Sequence, residues 1–203
     1  MRVIGITGGI GTGKSFILRQ IGELGFPTYS ADQRAKQLME QDPVLRQGIQ
    51  NLLGSEAYTE TGELRRAYIA ERIFKNPELR EKFNQLIHPR TIADFVEWIQ
   101  ARKVEGHIAV FKEAALTLEA GGTRGLDALI LVYAPLKVRI ERLCKRDGLS
   151  EIQILQRMRA QWTEWKKMAY ADFVIINDGY QPLRPQLIHF FNRWDIPLPS
   201  TFA

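Results

Sequence analysis

Residues Gly8 to Ser15 read GGIGTGKS and match the spacing G-x-x-x-x-G-K-[ST], with Gly8, Gly13, Lys14 and Ser15 at the fixed positions. The spacing carries a mechanism. Backbone N–H groups of such a P-loop curl around a triphosphate, the lysine ammonium reaches the β- and γ-phosphates, and the serine hydroxyl ligates Mg²⁺. Glycine lets the backbone turn to φ > 0 and approach the phosphate oxygens closely. Upstream, Arg2-Val-Ile-Gly-Ile-Thr7 is a short apolar run of the kind a buried parallel strand needs. Downstream, Ile17, Leu18, Ile21 and Leu24 fall on one face of a helix that starts at Lys14. Strand, loop and helix in that order suit a phosphate site, because the helix N-terminus adds its own positive end. A glycine-rich turn that binds nothing is the competing reading, and the flanking elements count against it.

Further apolar runs recur at Phe26–Ser30, His107–Phe111, Ala128–Ala134 and Phe173–Ile176. They lack strict alternation and are rich in Val, Ile and Leu, as strands buried on both faces are. Helical stretches separate them, which predicts an α/β chain: a P-loop NTPase three-layer fold with a parallel sheet of about five strands. Between Ala31 and Arg102 no strand is expected. Leu64, Tyr68, Ile69 and Ile73 fit one helix, and Leu79, Phe83, Leu86 and Ile87 another. Asn76-Pro77 starts a helix, and Pro89 kinks or restarts one. The expected organisation is a single domain over 1–203. Its core is 1–31, 103–135 and 171–203, its helical acceptor-binding insertion 32–102, and its helical lid 136–170.

Composition limits the function classes. A chain of 203 residues with 45% hydrophobic content suits one sizeable soluble domain. No apolar run approaches the roughly 20 residues that span a bilayer. The apolar strand starts at once, so no signal peptide is expected. Cys144 is the one cysteine, which excludes an internal disulfide and suits a reducing cytoplasm. Its helical neighbours Val138, Ile140 and Leu143 suggest a packing role. The formal charge of +5 lies wholly between Lys137 and Lys167, which hold nine Lys/Arg against four Asp/Glu. A nucleic-acid binder would show a broad basic face with interleaved aromatics. Arginines on helices near a P-loop suit a compact polyanion such as a nucleotide triphosphate.

Phosphoryl transfer needs an acceptor hydroxyl, a group to take its proton, and positive charge for the transition state. Asp32, in Tyr29-Ser-Ala-Asp32, follows the second strand, and carboxyl ends of parallel strands face the ligand crevice. It is the base candidate; the alternative is an N-cap for a helix over Gln33–Glu40, a role Ser30 could fill instead. Glu113 follows the third strand and could meet Mg²⁺ or stand as a surface glutamate at a helix start. Arg142 and Arg146 lie one helical turn apart, and Arg157 is read as opening the second lid helix. Arg142 is the first choice for a γ-phosphate contact, with pairing to Asp147 or Glu141 as the alternative. His88, before Pro89, could bond to substrate or be a satisfied, partly buried histidine. Trp98, Trp162, Trp165 and Met168 follow helical spacing and read as core or lid packing.

Together these residues resemble the dephospho-CoA kinase family from Val3 to about Asn192. The shared motifs, in order, are IGITGGIGTGKS, SADQRAKQL, RRAYIAERIF, LIHP ending at Pro89, LCKRD ending at Asp147, RMRAQ ending at Gln161, and ADFVIINDG ending at Gly179. The resemblance implies transfer of the ATP γ-phosphate to the ribose 3′-hydroxyl of dephospho-CoA, the last step of coenzyme A synthesis. It implies ATP contacts at Gly9, Gly11, Thr12, Gly13, Lys14, Ser15 and Phe16, with Asn177 and Gly179 bordering the adenine. It implies that Asp32 is the base and that Arg142 lies in the lid; the residues themselves make Ser15 the candidate for Mg²⁺, Lys14 and Arg142 catalytic candidates beside Asp32, and Asp32, His88 and Glu113 the candidate acceptor contacts. The expected partners are ATP and dephospho-CoA, without nucleic acid or membrane, for a cytoplasmic monomer or small homo-oligomer. Two positions depart from the family pattern. Ser30 stands where Asp is usual, and Ala115 replaces a proline in the stretch Glu113-Ala-Ala-Leu-Thr-Leu-Glu119.

Overall fold

The computed structural model describes residues 1–119, 121–200 and 202. Five strands, β1 Arg2–Thr7, β2 Thr28–Ser30, β3 Ala109–Glu113, β4 Ala128–Tyr133 and β5 Phe173–Ile176, form one sheet in the order β2-β3-β1-β4-β5. Every pairing is parallel. The α/β parallel-sheet architecture read from the sequence is the one observed. The central strand β1 pairs Ile6 with Glu113 on one side and Ile130 on the other. The chain crosses over β1 between β3 and β4, so the strand order reverses at the carboxyl end of β1, where the P-loop begins.

The α1 helix, Lys14–Glu23, and the α9 helix, Leu183–Arg193, bury Ile17, Leu18, Ile21, Leu187, Phe190 and Phe191 against Ile4, Ile6, Phe111, Ile130 and Ile175 of the sheet. Each such side chain contributes roughly 1.5–3 kcal/mol of burial. An edge-to-face set of rings, Phe26–Phe111 at 5.5 Å and Phe111–Phe190 at 6.3 Å, fixes the packing further. Three helices lie between β4 and β5: α6 Leu136–Asp147, α7 Glu151–Arg159 and α8 Glu164–Met168.

Several local expectations are corrected. The second strand is shorter because Pro27 has no N–H to give; its carbonyl instead accepts from Phe111 N at 3.0 Å. The third strand starts at Ala109, since His107 N is taken by the Arg102 carbonyl. Arg157 does not open a helix: a Ser150/Gln153 capping box starts α7 at Glu151, and Arg157 sits in its last turn. Cys144 is exposed, and so is Trp165, at 79%. Both lie on the outer faces of α6 and α8, where helical spacing alone does not tell an apolar outer face from an inner one.

The chain divides into two compact units, Met1–Ser30 with Arg102–Ala203, and Ala31–Ala101. The second holds α2 Ala31–Gln41, α3 Pro43–Leu53, α4 Arg66–Lys75 and most of α5 Pro77–Val104. Its own core gathers Leu45, Ile49, Leu53, Tyr58, Ile69, Phe83 and Ile87. The α5 helix continues through Pro89 without restarting. Within α5 the Thr91 hydroxyl donates to the Ile87 carbonyl at 3.0 Å. Across the unit, Arg34 makes a two-pronged pair with Asp94, Nη2 to Oδ1 at 2.7 Å and Nε to Oδ2 at 2.9 Å.

Asp42 caps α3, its Oδ1 accepting from Val44 N at 2.8 Å and Leu45 N at 3.2 Å, while Oδ2 accepts from Arg90 Nε at 2.9 Å. The Arg90 guanidinium first, helped by those two amides, holds the carboxyl below its ordinary pKa. A depressed folded pKa stabilises above the unfolded value of about 3.9, and that contribution is lost as pH falls through the folded pKa. Asp42→Ala is expected to cost about 1–2 kcal/mol in denaturant unfolding at pH 7. The difference from the unmodified chain should shrink below about pH 4, and a difference that persists undiminished there would show that the carboxylate charge is not its source.

Candidate active site

The P-loop bends where the sequence places glycine. Gly8, Gly11 and Gly13 have φ of 150°, 83° and 91°. Gly13 caps α1 in the left-handed conformation and offers no side chain there, which leaves the first amides of the helix to an anion. The loop is closed by Thr12 Oγ1 donating to the Gly9 carbonyl at 2.9 Å, with Thr12 N on the same oxygen at 3.3 Å. Lys14 Nζ also reaches Gly9 O, at 3.2 Å, from a side chain that folds back over the loop. Lys14 and Thr12 are buried, whereas Phe16 is exposed at 40% beside Arg19, whose guanidinium lies 5.3 Å from its ring centre.

Glu113 is the last residue of β3 and is 5% exposed, so it is not a surface glutamate at a helix start. The parallel register β2-β3-β1 brings Ser30 opposite Glu113. Ser30 Oγ donates to Glu113 Oε2 at 3.2 Å, and Ser15 Oγ lies 3.3 Å from the same oxygen. A hydroxyl from the P-loop, a carboxylate from β3 and a hydroxyl from β2 therefore meet at one end of the sheet. Ser30, at the position where the family resemblance expected an aspartate, uses its hydroxyl on Glu113. A second carboxylate there would face Glu113 at the same range and repel it.

On the other side of the loop, the Asn177 side chain donates to the Thr12 carbonyl at 2.8 Å and its backbone N to Tyr133 O at 2.8 Å. Arg142 reaches Thr12 O and Asn177 Oδ1, both at 3.4 Å. Asp147 pairs with Arg146 at 2.7 Å, so the alternative partner read for Arg142 belongs to its neighbour. Gly179 turns at φ 92°, and Asp178 Oδ1 accepts from Tyr180 N and Gln181 N at 2.9 Å, which shapes the turn after β5. Thr12, Arg142, Asn177 and the Gly179 turn thus form one rim.

Asp32 and His88 belong to the helical unit. Helix α2 begins at Ala31, immediately after β2, so Asp32 lies in its first turn rather than at its cap, and it is exposed. His88 is exposed on α5, not a partly buried histidine. Sequence reasoning missed Arg139, Gln161, Glu164, Glu119 and Lys167. Lys167 is fully buried and pairs with Glu119 Oε1 at 3.0 Å, an oxygen that also accepts from Trp162 N at 2.9 Å. Burial pushes the Glu119 carboxyl up, but Lys167 and that amide outweigh it and hold it below the ordinary glutamate value. The only signal was the position of Lys167 and Arg139 on helical faces shared with apolar residues, which solvated lysines and arginines share too.

The family model described as dephospho-CoA kinase matches residues 2–182. The chain belongs to the dephospho-CoA kinase family. A curated Bacteroides fragilis dephospho-CoA kinase is 38% identical over 185 residues, 91% of this chain and 89% of that one. The solved Campylobacter jejuni dephospho-CoA kinase matches with a TM-score of 0.70 and 26% identity, covering 96% of this chain and 98% of that one. The crystal structure of TT1252 from Thermus thermophilus matches with a TM-score of 0.84 and 28% identity, covering 95% and 97%. In this member of the dephospho-CoA kinase family, the P-loop spacing and the strand–loop–helix context are both present in folded form.

At Gly13 a steric demand coincides with a left-handed backbone. A Cβ there would lie 2.2 Å from Asn177 Nδ2, on a backbone at φ 91°. Gly13→Ala is expected to weaken ADP binding by more than about tenfold, because a left-handed alanine costs roughly 1–2 kcal/mol before the clash is added. Calorimetric titration with ADP checks this, and unchanged affinity would mean that the loop tolerates the displaced Asn177.

Proposed function

We propose that this protein transfers the γ-phosphoryl group of ATP to the ribose 3′-hydroxyl of dephospho-CoA, giving coenzyme A and ADP. The observation that carries the reading is the family match over residues 2–182, joined to a P-loop folded between β1 and α1. ATP binds with its phosphates at Gly9–Ser15 and Phe16 beside them. Lys14 neutralises charge on the β- and γ-phosphates. Arg142 meets the transferring phosphate, and Asn177 and Gly179 border the adenine. The acceptor lies against the helical insertion 32–102, with Asp32, His88 and Glu113 as its contacts, and the lid 136–170 excludes water.

Asp32 accepts the proton of the ribose hydroxyl as its oxygen bonds to the γ-phosphorus. The bond from that phosphorus to the β,γ-bridging oxygen breaks, and ADP leaves with the electron pair. Most of the rate comes from orientation and from charge aimed at the equatorial oxygens.

Mg²⁺ fits the donor set. Among the described residues no three His, Cys, Asp or Glu side chains gather into a cage. Magnesium rarely uses such a cage; it takes one or two protein oxygens plus phosphates and water. Ser15 Oγ and, directly or through water, Glu113 would hold it, and when bound it neutralises phosphate charge. The partners in this reading are the two substrates, not nucleic acid or a membrane, for a cytoplasmic enzyme acting as a monomer or small homo-oligomer. No helix among the described residues is long and apolar enough to cross a membrane.

With ATP, Mg²⁺ and dephospho-CoA, the protein should yield ADP and CoA in equal amounts. Lys14→Ala should lower kcat by about 10²–10³-fold or more with the circular-dichroism spectrum unchanged. Asp32→Asn should lower kcat by about 10²–10⁴-fold with ATP binding intact. A panel of other hydroxyl acceptors separates kinases by kcat/KM. A better acceptor than dephospho-CoA, or turnover no higher than in Asp32→Asn, would overturn the assignment.

A further inference from the structure

Ile10 stands at the middle of the P-loop, between glycines that give the backbone no side chain to anchor it. Both of its backbone polar groups are held by side chains from the lid region. Its N–H donates to Gln161 Oε1 at 2.9 Å, and its carbonyl accepts from Arg139 Nε at 2.8 Å. Arg139 Nη1 in turn pairs with Glu164 Oε1 at 3.1 Å, the two side chains only 8% and 11% exposed. The pair lies directly on Gly9: a Cβ at that position would meet Glu164 Oε1 at 2.2 Å and Arg139 Nη2 at 2.4 Å. Gly9 does not have the positive φ of Gly8, Gly11 and Gly13. Its glycine answers a packing demand from outside the loop.

Three elements supply the grip. Arg139 comes from the first turn of α6, Gln161 from the segment after α7, and Glu164 from the first residue of α8. Glu164 is fixed by a Thr163 cap whose Oγ1 accepts from Lys166 N at 3.2 Å. The next turn is moored by the buried Lys167–Glu119 pair described above. Burial pushes the Arg139 pKa down while Glu164 opposes the shift, and guanidinium stays protonated throughout the ordinary pH range.

We propose that Gln161, Arg139 and Glu164 are positioning residues that set the curvature of the phosphate cradle by gripping Ile10 on both sides. With its N–H committed to Gln161, Ile10 gives no donor to phosphate. The anion is served by the amides that follow, at the start of α1. The grip also divides the basic segment. Arg139 and Gln161–Lys167 stay with the P-loop, as does Arg142 through the Thr12 carbonyl, so any closing movement is confined to the stretch between Arg142 and Gln161, which includes α7. This inference deepens the nucleotide site of the proposed kinase and rests on that reading for its effect on ATP, but not for the grip itself.

The experiment therefore has two readouts on the whole protein. The first is amide hydrogen exchange at Ile10 without nucleotide. It should be slow in the unmodified protein and about tenfold or more faster in Gln161→Leu, while the sheet amides keep their rates. Fast exchange in the unmodified protein overturns the grip, whatever the protein binds. The second is ligand affinity. Gln161→Leu should raise the ADP Kd and the ATP KM by about tenfold, the loss expected of one buried hydrogen bond, with the acceptor KM within about twofold. Gln161→Glu keeps an accepting oxygen and should restore slow Ile10 exchange, while its charge opposes the phosphates. Arg139→Met/Glu164→Leu removes both charges together and avoids leaving either buried alone; it should show the same selective loss. An ADP Kd unchanged in Gln161→Leu, or a loss that falls equally on ATP and acceptor, would reduce these residues to general stability. An unmodified protein with slow Ile10 exchange and no ADP binding would sink the kinase reading and leave the grip standing.

Discussion

Everything in the nucleotide-binding unit depends on the placement of β1 between β3 and β4. A parallel strand buried on both faces has its backbone polar groups paired on both edges, so it cannot shift register without breaking two ladders. That fixes Thr7, and the chain leaves the sheet there into the P-loop. The same registers bring Glu113 and Ser30 level with one another, and carry β4 and β5 to the opposite side, where Asn177 follows. The loop is thus met by a carboxylate and a hydroxyl on one flank and by an amide and a guanidinium on the other.

The charge distribution gains a different meaning once it is folded. The basic surplus between Lys137 and Lys167 is not one solvated face. Arg139 and Lys167 are buried and paired with Glu164 and Glu119, whereas Arg146 stays exposed on Asp147. Buried pairs of this kind are weak sources of net stability, since desolvation offsets the attraction. Their value is geometric: a buried ion pair with further hydrogen bonds has few alternative arrangements, and here it lies against the glycine stretch of the loop, on Gly9 and Ile10.

The positions at which sequence reasoning failed each have a physical cause. Cys144 and Trp165 carry helical spacing but face outward, and periodicity gives a phase without saying which side is covered. Pro89 sits inside an unbroken α5, because the packed faces of that helix, with Phe83 and Ile87 in the core, outweigh one missing backbone hydrogen bond. Gln161 and Arg139 were invisible for another reason. Their partner is the backbone of Ile10, and a backbone group leaves no mark in a residue pattern.

What the sequence determined alone was local and stereochemical: the P-loop, the strand before it, the helix after it, the glycines that must take positive φ, and the ordered motifs that mark the family. These are short-range demands, and short-range demands are written in contiguous residues. Only the tertiary structure decided which distant groups meet the loop: Glu113 with Ser30 on one side, Asn177 with Arg142 on the other, and Gln161 with Arg139 on Ile10, 151 and 129 residues away. Such contacts are set by strand order and by burial, which are properties of the whole chain and not of any one stretch of it.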